Sequence, residues 1–188
     1  MRMKKFFLVA AMAFFALGAN AQWFVGGDVS IWSTKYDSNS LFSDQKRELE
    51  WNVSPYVGYN LSDRWAILAD LSIGQTLNNG GYEGSHSLAL KIGPFVRYTY
   101  ASIGMVDFFL TGGFQYGLDR NYGKSIVDQS YNLFWVGIEP GVKLNLADRF
   151  ALVAHIGALG YSYEEGYMSD FGFNLSARTL SLGAELRF

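Results

Sequence analysis

Beyond residue 21 the chain alternates apolar and polar side chains with a period of two. Successive side chains of a strand point to opposite faces, so such a chain must form strands with one apolar and one polar face. Trp23, Val25, Val29 and Ile31 alternate with Gly26, Asp28 and Ser30. At the other end Leu180, Leu182, Ala184, Leu186 and Phe188 alternate with Ser181, Gly183, Glu185 and Arg187. The pattern recurs over 49–59, 65–73, 88–98, 108–116, 134–144 and 150–158, which makes eight candidate strands. Each is close to the ~9–11 residues that a tilted strand needs to cross a bilayer.

The strands come in related pairs. Val53-Ser54-Pro55-Tyr56-Val57-Gly58-Tyr59, Ile92-Gly93-Pro94-Phe95-Val96-Arg97-Tyr98 and Ile138-Glu139-Pro140-Gly141-Val142-Lys143-Leu144 share one template. Two copies run into matching turns, Asn60-Leu61-Ser62-Asp63-Arg64 and Asn145-Leu146-Ala147-Asp148-Arg149. The unit is a strand–turn–strand hairpin. A proline lacks the donor that a sheet ladder needs, so a bulge is expected at the proline level. The connections near 61–64, 99–106 and 145–149 are short, whereas those at 33–47, 75–86, 118–130 and 162–174 are long and polar. Short turns on one side and long loops on the other indicate an up-and-down barrel, and an even strand count returns both ends to the short-turn side.

Residues 1–21 read as an address. Arg2, Lys4 and Lys5 precede an apolar run from Phe6 to Leu17, and Ala19 and Ala21 form an A-x-A site before Gln22. This is a secretory signal peptide pattern. The expected organisation is a signal peptide over 1–21 and a barrel domain over 22–188. The chain has no Cys, which excludes disulfides, thiolate metal sites and a lipid anchor at the cleavage site. A net charge of −2 provides no electrostatic footprint for nucleic acid.

Alternation alone does not say which face is outside. A soluble barrel puts its apolar face inward and a membrane barrel inverts this. Trp23, Tyr59, Trp65, Tyr98, Phe150 and Phe188 all lie near short turns or chain ends, as an aromatic girdle at the bilayer interface requires. The polar face is rich in Gly, including Gly26, Gly58, Gly93, Gly113, Gly137, Gly141 and Gly183. Glycine is a poor strand former on an open surface but makes room in a narrow lumen. The expected fold is therefore all-β: an eight-stranded antiparallel up-and-down transmembrane β-barrel.

With its signal-type N-terminus, eight alternating segments, Asp-Arg turns and a terminal Leu182-Gly183-Ala184-Glu185-Leu186-Arg187-Phe188, the mature chain resembles the small outer-membrane β-barrel family, the class of the outer membrane protein A and X transmembrane domains. The resemblance implies a bacterial outer-membrane location, contact with outer-membrane lipid and lipopolysaccharide, and a monomer. It also implies recognition of the C-terminal strand ending in Phe188 by the outer-membrane insertion machinery.

Eight strands leave an interior just wide enough to be filled by side chains. Asp28, Glu50, Asp70, Lys91, Arg97, Glu139, Lys143, Glu185 and Arg187 fall on the inward face. Their opposite charges are expected to pair, because an unpaired buried charge is costly. The resulting expectation is a charge-plugged lumen in a protein with a structural or interaction role: envelope stability, adhesion or ligand contact through extracellular loops. Those loops carry Tyr36, Leu41, Phe42, Tyr82, Tyr122, Tyr131, Tyr161, Tyr163, Tyr167, Met168 and Phe171, a composition suited to adaptable contact. A small, low-conductance porin-like channel lined by the same charges is the alternative. A lipid A-modifying enzyme is the third reading, since some barrels of this class use His with Ser and an acid. The chain has two His, His86 and His155, and neither lies in a recognisable nucleophile–base–acid set. No catalytic residue, cofactor or metal site is expected.

Overall fold

The computed structural model describes residues 22–36, 46–79, 86–123, 126–166 and 168–188; the expected signal peptide at 1–21, with Leu41, Phe42, Tyr82 and Tyr167, lies outside them. The described chain forms ten strand segments: β1 (Trp23–Tyr36), β2 (Lys46–Asn60), β3 (Trp65–Asn79), β4 (His86–Ile103), β5 (Val106–Gly123), β6 (Ile126–Ala147), β7 (Phe150–His155), β8 (Ala158–Glu164), β9 (Met168–Asn174) and β10 (Ser181–Arg187). Each of β1 to β5 pairs antiparallel with the next. β6 pairs with β7 and, further along, with β8. β10 pairs with β7 on one side and β1 on the other, which closes the ring.

Because β7 and β8 lie end to end along β6, they are two halves of one barrel strand, and the ring has eight strands. The break falls at Ile156 and Gly157, where Gly157 has φ +79°. A Cβ at Gly157 would stand 2.6 Å from the Asn174 carbonyl oxygen. Its amide donates instead to Thr179 Oγ1 at 3.0 Å. The irregularity reverses the facing: His155 is buried inward before it, and Leu159 and Tyr161 are exposed after it. An inserted bulge residue has this effect on a period-two pattern.

The eighth barrel strand is interrupted too. Between β9 and β10 lies a 3₁₀ turn, Ala177–Thr179. β10 pairs with β1 over Phe24–Val29 only, and β9 pairs with β8 only. Among the described residues, the outer half of β1 from Ser30 to Tyr36 has its ladder with β2 alone. A seam is thus left in the outer wall between β1 and β9. Arg178, on the 3₁₀ turn, reaches β2 beyond this seam, with Nη2 3.0 Å from Glu48 Oε1 and Nε donating to Glu50 Oε2 at 3.1 Å.

Two expectations are refined. On one side each proline keeps its pairing: Gly27 faces Pro55, Ala69 faces Pro94 and Leu110 faces Pro140. On the other side the pairing lapses: β2–β3 skips Ser54 and Pro55 and β4–β5 skips Gly93 and Pro94, both without a register shift. Opposite Pro140 the register does shift, between Gly141–His155 and Ile138–Leu159, so the bulge expected at the proline level is found at this one proline, on the partner strand at Ile156 and Gly157. Further shifts occur at Thr99/Ala101, Asn121/Gly123 and Asn145/Ala147. A proline removes one donor, so the ladder weakens on the side where that donor is missing. The long connections are also shorter than composition suggests, because β5 runs to Gly123 and β6 starts at Ile126. Polar residues continue the ladder there, since above the bilayer neither strand face needs to be apolar.

The apolar face is outside. Val25, Val29, Ile67, Leu71, Leu90, Ile92, Val96, Leu110, Phe114, Ile138, Leu152, Leu182 and Leu186 are all exposed, and Ile31 reaches 72 %. Phe24, Phe109, Glu185 and Val153 are fully buried within the ring. Replacing Gly157 by Val should cost about 1–3 kcal/mol, because a β-branched residue is strained at positive φ. Gly172→Val, with nothing within 4 Å of its added Cβ, should change little. Urea titration of the folded protein in detergent micelles, followed by tryptophan fluorescence, checks the pair.

Candidate functional site

The lumen is built in layers. At the short-turn end Lys143 Nζ lies 3.4 Å from Asp107 Oδ2. Asn145 Nδ2 donates to the same oxygen at 2.8 Å, and Arg187 Nη2 donates to Asn145 Oδ1 at 2.5 Å. Arg187 Nε is 3.7 Å from Glu185 Oε1, which links this layer to the next.

The next layer holds a buried ion pair. Arg97 Nη1 donates to Glu185 Oε2 at 2.6 Å, and the two residues are 3 % and 2 % exposed. Three rings surround the guanidinium: Phe109 at 4.5 Å, Tyr56 at 5.5 Å and Phe24 at 5.6 Å to their centroids. A charge removed from water needs both a counter-charge and a polarisable surround, and here carboxylate and aromatic faces supply them. Glycines make space for the rings. A Cβ at Gly58 would overlap Phe24, one at Gly141 would overlap Phe109, and one at Gly113 would lie 2.6 Å from Phe95.

Above the layer is a cavity of about 230 Å³. His155 Nδ1 lies 3.4 Å from Asp28 Oδ2 at its edge. Asp70 accepts a hydrogen bond from Gln115 Nε2. Lys91 stands in the field of Glu139, Asp70 and Asp119. Further out, Arg178 binds Glu48 and Glu50. Among the described residues no group of three His, Asp or Glu is arranged to hold a metal ion.

The structure brings Arg97 to Glu185 and Arg187 to Glu185, and gathers Asp28, Asp70, Lys91 and Glu139 around one cavity. It pairs Lys143 with Asp107 and Glu50 with Arg178, partners outside the set read from the sequence. The girdle residues pack in cross-strand contacts: Trp23 on Tyr59 at 5.0 Å and Trp65 on Tyr98 at 4.5 Å between centroids. The Phe188 amide donates to the Trp23 carbonyl at 3.0 Å, beside the pairing of β10 with β1. Phe24, Tyr56, Phe95 and Phe109 on the otherwise polar face were missed. The signal for them was their parity: Phe24 shares a strand face with Gly26 and Asp28, and Phe109 with Thr111 and Gly113. His86 opens β4 and His155 closes β7, so the two imidazoles are on different strands.

An apolar exterior, a ring closed through hydrogen bonds and an interior lined with ion pairs make a barrel turned inside out relative to a soluble one. Residues 7–188 match the family model of the outer membrane protein β-barrel domain. The chain belongs to that family. It is a bacterial outer-membrane protein that crosses the bilayer with its strands. Among solved structures this outer-membrane barrel is similar to neisserial surface protein A, with TM-score 0.52 and 15 % identity over 88 % of this chain and 97 % of that one. It also matches Ail of Yersinia pestis, solved with the heparin analogue sucrose octasulfate, with TM-score 0.47 and 15 % identity over 89 % and 97 % of the two chains. The N-terminal barrel domain of Pseudomonas aeruginosa OprF follows, with TM-score 0.44 and 12 % identity over 88 % and 97 %. None of the curated proteins matches in sequence.

Arg97→Ala should destabilise the outer-membrane barrel by about 3–5 kcal/mol, because it strands the Glu185 carboxylate. Arg97→Met combined with Glu185→Leu should recover most of that loss. The urea midpoint of each variant, read in the same micelles, provides the comparison.

Proposed function

We propose that the protein is a non-enzymatic, structural or interaction barrel whose lumen is plugged by its charge network. The observation that supports this reading is the buried Arg97–Glu185 pair, walled by Phe24, Tyr56 and Phe109. Pore function needs a continuous hydrated route, and this layer places three aromatic rings and a buried ion pair across the lumen.

On this reading, the apolar exterior engages outer-membrane lipid and lipopolysaccharide. The loop end meets extracellular partners, and the last strand with Phe188 is the element read by the insertion machinery. Residues 1–21 are the export signal, removed before assembly of a monomer. Asp28 and His155 serve as a polar pair at the cavity edge.

Planar-bilayer recording tests the plug. The wild-type protein should show no stable single-channel steps. Arg97→Ser with Glu185→Ser should introduce them, because two small hydroxyls leave a wet gap among the rings. A sharp, reproducible conductance from the wild-type monomer would sink the plug. In the same spirit, His86→Ala and His155→Ala should leave the host's lipid A profile, read by mass spectrometry, unchanged.

A further inference from the structure

The cavity above the Arg97–Glu185 layer is more than packing slack. A cavity of about 150 Å³ suffices for benzene, so one of about 230 Å³ holds a somewhat larger solute. Its walls are charged and unbalanced. Asp28, Asp70 and Glu139 line it with Lys91 and His155, and the remaining cation on its wall, Arg97, is already committed to Glu185. Asp119, Glu48 and Glu50 extend the acidic lining outward, where Arg178 is bound to both glutamates. Four polar atoms of the wall residues have no hydrogen-bond partner in the protein: Asp28 Oδ1, Tyr56 Oη, Arg97 Nε and Thr111 Oγ1. Thr111 is 6 % exposed, and buried polar atoms of this kind are normally paired. An acidic chamber with low-dielectric walls concentrates cations.

Access is also built in. The cavity wall includes Val29 and Ser30 on β1 and Thr179 and Ser181 at the start of the last strand half. That is where the ladder between β1 and β10 ends, so the chamber lies behind the seam as well as below the lumen mouth.

We propose that this chamber is a binding site for a small organic cation, an alkylammonium or guanidinium compound. Its charged end sits against Asp70 and Glu139, and a polar end or spacer reaches Thr111. An organic cation fits better than a divalent metal ion, because no three acidic or imidazole groups among the described residues converge on one point. The Leu68 and Phe95 side chains on the same wall suit the carbon spacer of such a molecule. The proposal takes the closed floor from the reading above and adds a dead-end site on top of it.

Isothermal titration of the folded full barrel in zwitterionic detergent, with putrescine and with its uncharged counterpart butanediol, tests the site. Putrescine should bind saturably at one site, and butanediol should produce no saturable heat. Glu139→Gln and Asp70→Asn should each weaken putrescine about tenfold, roughly 1.4 kcal/mol. Thr111→Val, which keeps every charge, should weaken it less. Glu165→Gln, on the exposed turn, should leave affinity unchanged. No saturable putrescine heat with the wild-type protein, equal binding of butanediol, or an affinity that follows Glu165 instead of Glu139 would each overturn the site. If a lumen variant does not fold, the wild-type putrescine–butanediol comparison still decides. A conducting wild-type lumen would refute the plug without removing the binding heat, so the two readings fail separately.

Discussion

Hydrocarbon offers no partner for a peptide N–H or C=O, and that constraint organises the whole molecule. In lipid only a helix or a closed sheet satisfies its own backbone. A chain patterned with period two has one option left, which is to bend its sheet until the last strand meets the first. The pairing of Phe24–Val29 with Leu182–Arg187 is that closure. The remaining features are consequences of the ring or exceptions that it tolerates. The seam beside Ser30–Tyr36 is one exception, placed toward the loop end, where water and polar side chains are available to exposed backbone.

Closing eight strands creates a second problem, an interior that side chains have to fill. The solution is complementary volume. Large rings at Phe24, Phe95 and Phe109 reach across the lumen, and glycines at 58, 113 and 141 receive them. The rings then provide the low-dielectric wall that makes the Arg97–Glu185 attraction strong. Aromatic packing and ion pairing are therefore one device here. Either alone would leave voids or an unpaired charge.

The layers are satisfied in different ways. Lys143, Asp107, Asn145 and Arg187 link donors to acceptors in a chain. The Arg97–Glu185 contact is direct, while Arg97 Nε and Tyr56 Oη beside it have no hydrogen-bond partner. The chamber above is lined by Asp28, Asp70 and Glu139 with Lys91, Arg97 and His155, and Asp28 Oδ1 and Thr111 Oγ1 on its wall are also unpartnered.

The strand number, the facing of Val25, Leu90 or Leu182, the short turns at Asp63-Arg64 and Asp148-Arg149 and the inverted character of the barrel were all legible in the sequence. They follow from local periodicity, which every residue reports by its own polarity. The pairing of Arg97 with Glu185 was not legible, although both residues were. They are separated by 88 positions, and only ring closure with its stagger decides which inward charges share a layer. Glu50 likewise found Arg178, a residue in a turn with no periodicity to mark it. The break at Gly157 and the seam that follows are also tertiary, because a single inserted residue changes the facing of a strand without changing its composition. Periodicity by itself determined what faces lipid. Closure of the ring decided what meets inside it, because neighbours across a lumen are set by register and stagger, which side-chain polarity does not encode.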